Sequence, residues 1–190
     1  MIEKDKIEIR TLVFGGMFVA LMAVGAVIKI PLPGIPFSLQ TLFVLLAGLL
    51  LGARGGLMAM LGYILIGLAG LPVFTGGGGL MYVFKPSFGY LIGFAVGAFV
   101  TGKVAEKNTA NSTRQMFIAV LAGTGAIYAF GLPWYYFIAN YYLNTPIGAT
   151  ALVMSGFVMT LPGDLIKMAL SIFLAQRLAP FVSGLKSKER

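Results

Sequence analysis

Apolar runs close to the length of a membrane span recur along almost the whole chain, each cut off by proline, glycine or a short polar turn. Hydrocarbon offers backbone groups no hydrogen-bond partner, so a spanning segment must be a helix or part of a closed barrel. The short alternating segments of an outer-membrane barrel are missing, which leaves helices. A helix needs about 20 mainly apolar residues to cross about 30 Å of hydrocarbon. The sequence predicts six such spans, at 7–28, 38–53, 56–70, 88–104, 116–141 and 162–182. We therefore expect an all-α integral membrane protein, a compact bundle of six transmembrane helices forming one domain over 1–190. A hydrophobic content of 58% and a mean hydropathy of +0.93 exclude an ordinary soluble domain.

The breaks between spans follow from residue chemistry. Pro31-Leu32-Pro33-Gly34 makes an extended connector, because proline disfavours helix in the residue before it. Arg54-Gly55-Gly56 reads as a tight turn, and Gly70-Leu71-Pro72 ends the third helix. The loop 71–87 holds four consecutive glycines, Gly76, Gly77, Gly78 and Gly79, followed by the apolar run Leu80-Met81-Tyr82-Val83-Phe84. A plain tether would not need that run, and the loop reads as a lid whose glycines let backbone approach a ligand. Pro133 is expected to kink the fifth helix. The apolar stretch 149–159 is too short to span and reads as a short helix dipping into the membrane.

Charge fixes orientation and narrows function. Eleven of the fourteen Lys and Arg residues fall on one side, leaving Lys29, Lys85 and Lys167 on the other, so both termini are expected in the cytoplasm. The first loop, the glycine lid and the start of the sixth helix then lie on the extracellular half. The basic residues are distributed between spans, so the net charge of +8 reflects topology and no nucleic-acid surface is expected. The charged start followed by the run 11–28 has the outline of a signal peptide, but the run is long and more spans follow, so it is expected to stay as the first helix. The absence of Cys and His removes thiolate chemistry, the usual zinc ligands and the commonest proton shuttle, so no metal site is expected.

Two ionisable residues stand inside apolar sequence at Leu161-Pro162-Gly163-Asp164-Leu165-Ile166-Lys167. Proline suits the first turn of a helix, so a helix is predicted from Pro162, with Asp164 favoured by the positive end of its dipole. Lys167, three residues on, shares its face. A charge inside a membrane segment costs at least about 2.5 kcal/mol, and such groups usually line a cavity or pathway. Gln40 and Tyr90 open the second and fourth helices at the same level and join Asp164 and Lys167 as candidate binding residues. The aromatic run from Trp134 with Tyr141 and Tyr142 reads as an interfacial belt. Gly97-Ala98-Phe99-Val100-Thr101-Gly102-Lys103 approaches a phosphate loop, but Val104 replaces the required Ser or Thr, so the chain is not expected to hydrolyse ATP. Gly16 and Ala20, one turn apart on the first helix, fit either packing within the bundle or docking to another membrane protein.

Several of these segments together resemble the BioY family, the biotin-binding S components of energy-coupling-factor (ECF) vitamin transporters. They are Ile30-Pro31-Leu32-Pro33, Leu39-Gln40-Thr41-Leu42, Gly70-Leu71-Pro72-Val73-Phe74 with its glycines, Gly89-Tyr90-Leu91-Ile92-Gly93-Phe94, and Pro162-Gly163-Asp164 with Lys167. Lys85-Pro86-Ser87 departs from the family's more usual Gly-Pro-Thr. The resemblance implies an S component of a prokaryotic cell membrane, not an enzyme and without a cofactor. It implies capture of biotin from outside and docking onto a transmembrane coupling protein with two cytoplasmic ATPases. By position, Gly16 and Ala20 match the small-residue motif facing the coupling protein, and Asp164 and Lys167 match the polar pair that binds biotin. An S component for another vitamin, an intramembrane enzyme using Asp164 and a purely structural subunit remain as alternatives.

Overall fold

The computed structural model describes residues 9–30, 37–107 and 112–182. The connector expected at 31–34, the first two residues of the span expected at 7–28 and the basic tail at 183–190 lie outside them. Helix α1 covers Ile9–Val27 and leads into a two-residue antiparallel hairpin, β1 (Lys29–Ile30) with β2 (Phe37–Ser38). Then follow α2 (Gln40–Leu68), a 3-10 turn at Leu80–Phe84, α3 (Phe88–Glu106) and α4 (Thr113–Phe137), which runs through Pro133 and widens into a π turn at Ile138–Tyr142. Helix α5 (Ala149–Val153) continues through a second π turn to Val158, and α6 covers Leu161–Val182. Among the described residues four stretches are long and apolar enough to cross a membrane, Gln40–Leu68, Phe88–Glu106, Thr113–Tyr142 and Ala149–Pro180, and Leu12–Val27 is a shorter apolar helix.

The tight turn expected at Arg54-Gly55-Gly56 is not there. The chain reverses at Gly52, whose φ of 77° and ψ of −175° only glycine adopts without strain, and residues 54–56 are already helical. Two arms, 40–51 and 53–68, result. A Cβ on Gly56 would stand 3.1 Å from the Cα of Gly48, whereas eight residues of straight helix would separate them by about 12 Å. Glu106, from the far end of α3, accepts a hydrogen bond from the Ala53 N–H at 2.8 Å and so caps the second arm.

The short helix expected over 149–159 is present as α5 and its π turn, and only Met159 and Thr160 separate it from α6. Pro162 has no N–H to continue a helical ladder, and the first bond of α6 runs from Asp164 N–H to the Thr160 carbonyl at 2.9 Å. Helix α3 packs between α2 and α4, and its contact with α4 is close because Gly93 has no side chain: a Cβ there would lie 2.6 Å from the Ile127 carbonyl oxygen. The glycine run is a hydrogen-bonded turn rather than a slack tether. Phe74 and Gly77 exchange backbone bonds of 2.9 and 3.1 Å, and Gly79 N–H reaches the Gly67 carbonyl at 2.7 Å.

Candidate functional site

The N-termini of α2, α3 and α6 converge on one end of the bundle, and a cleft partly open to solvent lies among them. Its walls come from β2 and the start of α2, from α3, from the middle of α4 and from the start of α6, with Thr75 and Tyr82 of the glycine loop at its edge. A mostly apolar lining with a few polar groups suits a small organic molecule.

Asp164 and Lys167 form an ion pair on the cleft wall at 2.5 Å, with the whole residues only 4% and 3% exposed. Each ammonium proton has a role: beside Asp164 Oδ1, Lys167 Nζ donates to the Ser38 carbonyl at 3.1 Å and to Thr41 Oγ1 at 3.3 Å. It also stands 3.9 Å from the centre of the Phe37 ring, a cation–π contact. Charges taken out of water must be paired and hydrogen-bonded to be tolerated, and this pair is both.

The second carboxylate oxygen, Asp164 Oδ2, accepts from the hydroxyl of Tyr128 on α4. Thr160 Oγ1 lies 2.6 Å from that same hydroxyl and 2.9 Å from the Phe157 carbonyl, with a single proton for the two. Asp164 is thereby oriented, with lone pairs left over for N–H donors on a guest. Two further polar groups on the cleft wall have no hydrogen-bond partner: Gln40 Nε2 and Thr124 Oγ1, on residues 1% and 6% exposed. The Tyr63 hydroxyl donates to the Val73 carbonyl at 2.7 Å, which leaves its oxygen able to accept from the nearby Gln40 amide, but the two do not meet hydrogen-bond geometry. Thr124, mid-helix, leaves unused the bond to the carbonyl four residues back that such a hydroxyl commonly makes. Among the described residues a third such group, Thr101 Oγ1, lies away from the cleft, while the two on its wall are available to a guest.

The chain is similar to known proteins over most of its length. The BioY family's sequence profile matches residues 2–184. The chain belongs to the BioY family. It is 46% identical over 168 residues to a probable biotin transporter BioY of Lysinibacillus sphaericus, covering 88% of this chain and 86% of that protein. It is 41% identical over 170 residues to the biotin transporter BioY of Thermotoga maritima, covering 89% and 95%. The crystal structure of the S-component for biotin from an ECF-type ABC transporter superposes with a TM-score of 0.78 at 29% identity, covering 93% of this chain and 94% of that one.

In this BioY chain the four residues singled out from sequence, Gln40, Tyr90, Asp164 and Lys167, all line the one cleft. Tyr90 does so by its ring, since its hydroxyl donates to the Gly156 carbonyl at 3.0 Å. Gly76, Gly77, Gly78 and Gly79 do not form the wall; their neighbours Thr75 and Tyr82 do, linked by a 3.0 Å hydroxyl contact. Gly16 and Ala20 stand apart from the cleft on an exposed face of α1, and a Cβ on Gly16 would meet nothing within 4 Å. Internal packing therefore does not explain those two small residues. Sequence reasoning missed Tyr128, Thr124 and Thr160. A signal existed: Thr124 and Tyr128 are one turn apart in an otherwise apolar helix, where polar side chains turn inward.

Proposed function

We propose that this chain binds biotin with high affinity from the outer face of the cell membrane and delivers it inward as the substrate-specific subunit of an ATP-driven ECF transporter. The observation that carries the reading is the buried Asp164–Lys167 pair on a cleft wall shared with the unpartnered Gln40 amide. Biotin's ureido ring presents two N–H donors and one carbonyl acceptor. Asp164 accepts from the ring N–H groups, Gln40 Nε2 donates to the ring carbonyl, and Lys167 can exchange its longest bond, to Thr41, for the same oxygen. Phe37, Tyr90, Leu91, Phe94 and Ile127 offer apolar surface to the bicyclic body.

In this reading the two arms of α2 count as separate spans, giving six, and both termini face the cytoplasm. The glycine loop acts as the lid over the outward-facing cleft. The exposed Gly16 and Ala20 form the face that meets the transmembrane coupling protein, which in turn holds two cytoplasmic ATPases. The family's transport relatives speak against an intramembrane enzyme.

The test is binding of labelled biotin to the purified chain, with thermal unfolding followed in parallel. Biotin should raise the unfolding temperature in a concentration-dependent way while other vitamins leave it unchanged. A shift with another vitamin and none with biotin would overturn the assignment. Uptake into vesicles with and without the coupling protein and ATPases tests the delivery step.

A further inference from the structure

Two ammonium groups that ring recognition leaves without a task stand beside residues of the cleft wall, though not on the wall themselves. Lys29, on β1, donates to the carbonyl of Thr75, and Lys85 donates to the carbonyl of the next residue, Gly76, at 2.7 Å. Two cations from separate parts of the chain thus converge on consecutive peptide units, both with exposed side chains. Thr75 lines the cleft, and so does Tyr82, whose ring centre lies 4.9 Å from Lys85 Nζ. Among the described residues the acids are Glu106 and Asp164. Glu106 caps the second arm of α2 at the opposite end of α3 from the cleft, and Asp164 is paired with Lys167. Among those residues, then, no carboxylate neutralises Lys29 or Lys85.

A neutral carbonyl is a weaker counterpart for an ammonium group than a carboxylate. We propose that Lys29 and Lys85 form an anion seat at the mouth of the cleft that receives the carboxylate of the ligand's side chain, exchanging the carbonyls of Thr75 and Gly76 for it. The inference rests on the biotin reading: with the ureido ring at Asp164 in the interior, the valerate chain leads outward past the apolar walls and ends at the rim. Recognition is then divided between an interior station that reads the ring and a rim station that reads charge. A lipid phosphate has the same anionic chemistry, so the experiment must separate the two sources.

The full chain is purified in uncharged detergent, and the affinities of biotin and biotin methyl ester are measured by calorimetry for wild type, Lys29→Gln, Lys85→Gln and the double variant. Wild type should prefer the acid. Each single substitution should cut that preference by about three- to tenfold, and the double variant should lose it, the scale of partly sheltered ion pairs. Ester affinity should stay constant throughout, which also shows that the variants fold and keep the ring station. Repetition in nanodiscs with and without phosphatidylglycerol should leave the acid preference unchanged. The seat is overturned by a double variant that keeps the wild-type preference. It is also overturned by variants that weaken acid and ester alike, which would make the lysines loop supports, or by a preference that vanishes when anionic lipid is present. Binding of neither compound by wild type would overturn the biotin reading itself, and the seat with it.

Discussion

Lys167 donates a hydrogen bond to the Ser38 carbonyl, 129 positions earlier in the chain, at 3.1 Å, so one buried charge joins α6 to the hairpin ahead of α2 while pairing with Asp164. Removing that charge has two separable effects. Lys167→Ala or Asp164→Asn should weaken biotin binding by about 1.5 to 3 kcal/mol, the scale of a hydrogen bond to a charged group, read by calorimetry. Either single change also leaves a buried group without its partner. The double variant Asp164→Leu/Lys167→Met should therefore unfold at a higher temperature than Lys167→Ala while binding no biotin, because an apolar replacement of a buried pair restores stability without restoring recognition.

Tyr128 orients the carboxylate from the opposite wall. Tyr128→Phe keeps the ring, which packs edge-on to Phe157 with centroids 4.8 Å apart, and removes only the hydroxyl. We expect biotin affinity to fall by about 1 to 2 kcal/mol with the fold intact, checked by calorimetry alongside thermal unfolding.

Thr124 offers a test in which stability and binding move in opposite directions. Its buried hydroxyl lacks a partner in the ligand-free chain, so Thr124→Val should leave the free protein as stable or more stable by up to about 1 kcal/mol. If the hydroxyl serves the ligand, the same change should reduce the unfolding-temperature gain produced by saturating biotin. An unchanged gain would remove Thr124 from the recognition set.

The reversal at Gly52 is a structural prediction independent of the ligand. Gly52→Ala puts a side chain at positive φ and into the Glu106 carboxylate, and should destabilise the chain by about 1 to 3 kcal/mol. Glu106→Ala removes the cap of the second arm at a cost of about 1 kcal/mol, while Glu106→Gln retains an acceptor and should cost less. Thermal unfolding in detergent ranks the three.

Gly16 has open space around it, so Gly16→Leu should leave folding and biotin binding unchanged. If that face meets the coupling protein, the substitution should abolish copurification with it and stop uptake. Full assembly of the variant would take Gly16 out of the docking face.

The membrane character and several residues of the cleft wall were legible in the sequence because each rests on a local cost. A charge in apolar sequence is expensive, which marks Asp164 and Lys167, and a polar residue at a helix start at the same level marks Gln40. The place of the α2 reversal was not legible. Arg54-Gly55-Gly56 carries the stronger turn composition, yet the turn belongs to Gly52, because Glu106 from another helix arrives to cap Ala53 and Gly56 is used for close contact with Gly48. Both causes are tertiary. Tyr128 was passed over for a related reason: a single tyrosine in an apolar helix becomes informative only when the carboxylate it faces is known.

The short hairpin after α1 holds more than its length suggests. Through Lys29 its first strand grips the glycine turn, and through Ser38 its second strand grips the charged pair on α6. Displacing this one small ribbon would disturb the glycine turn beside the cleft and the charged pair in its wall together.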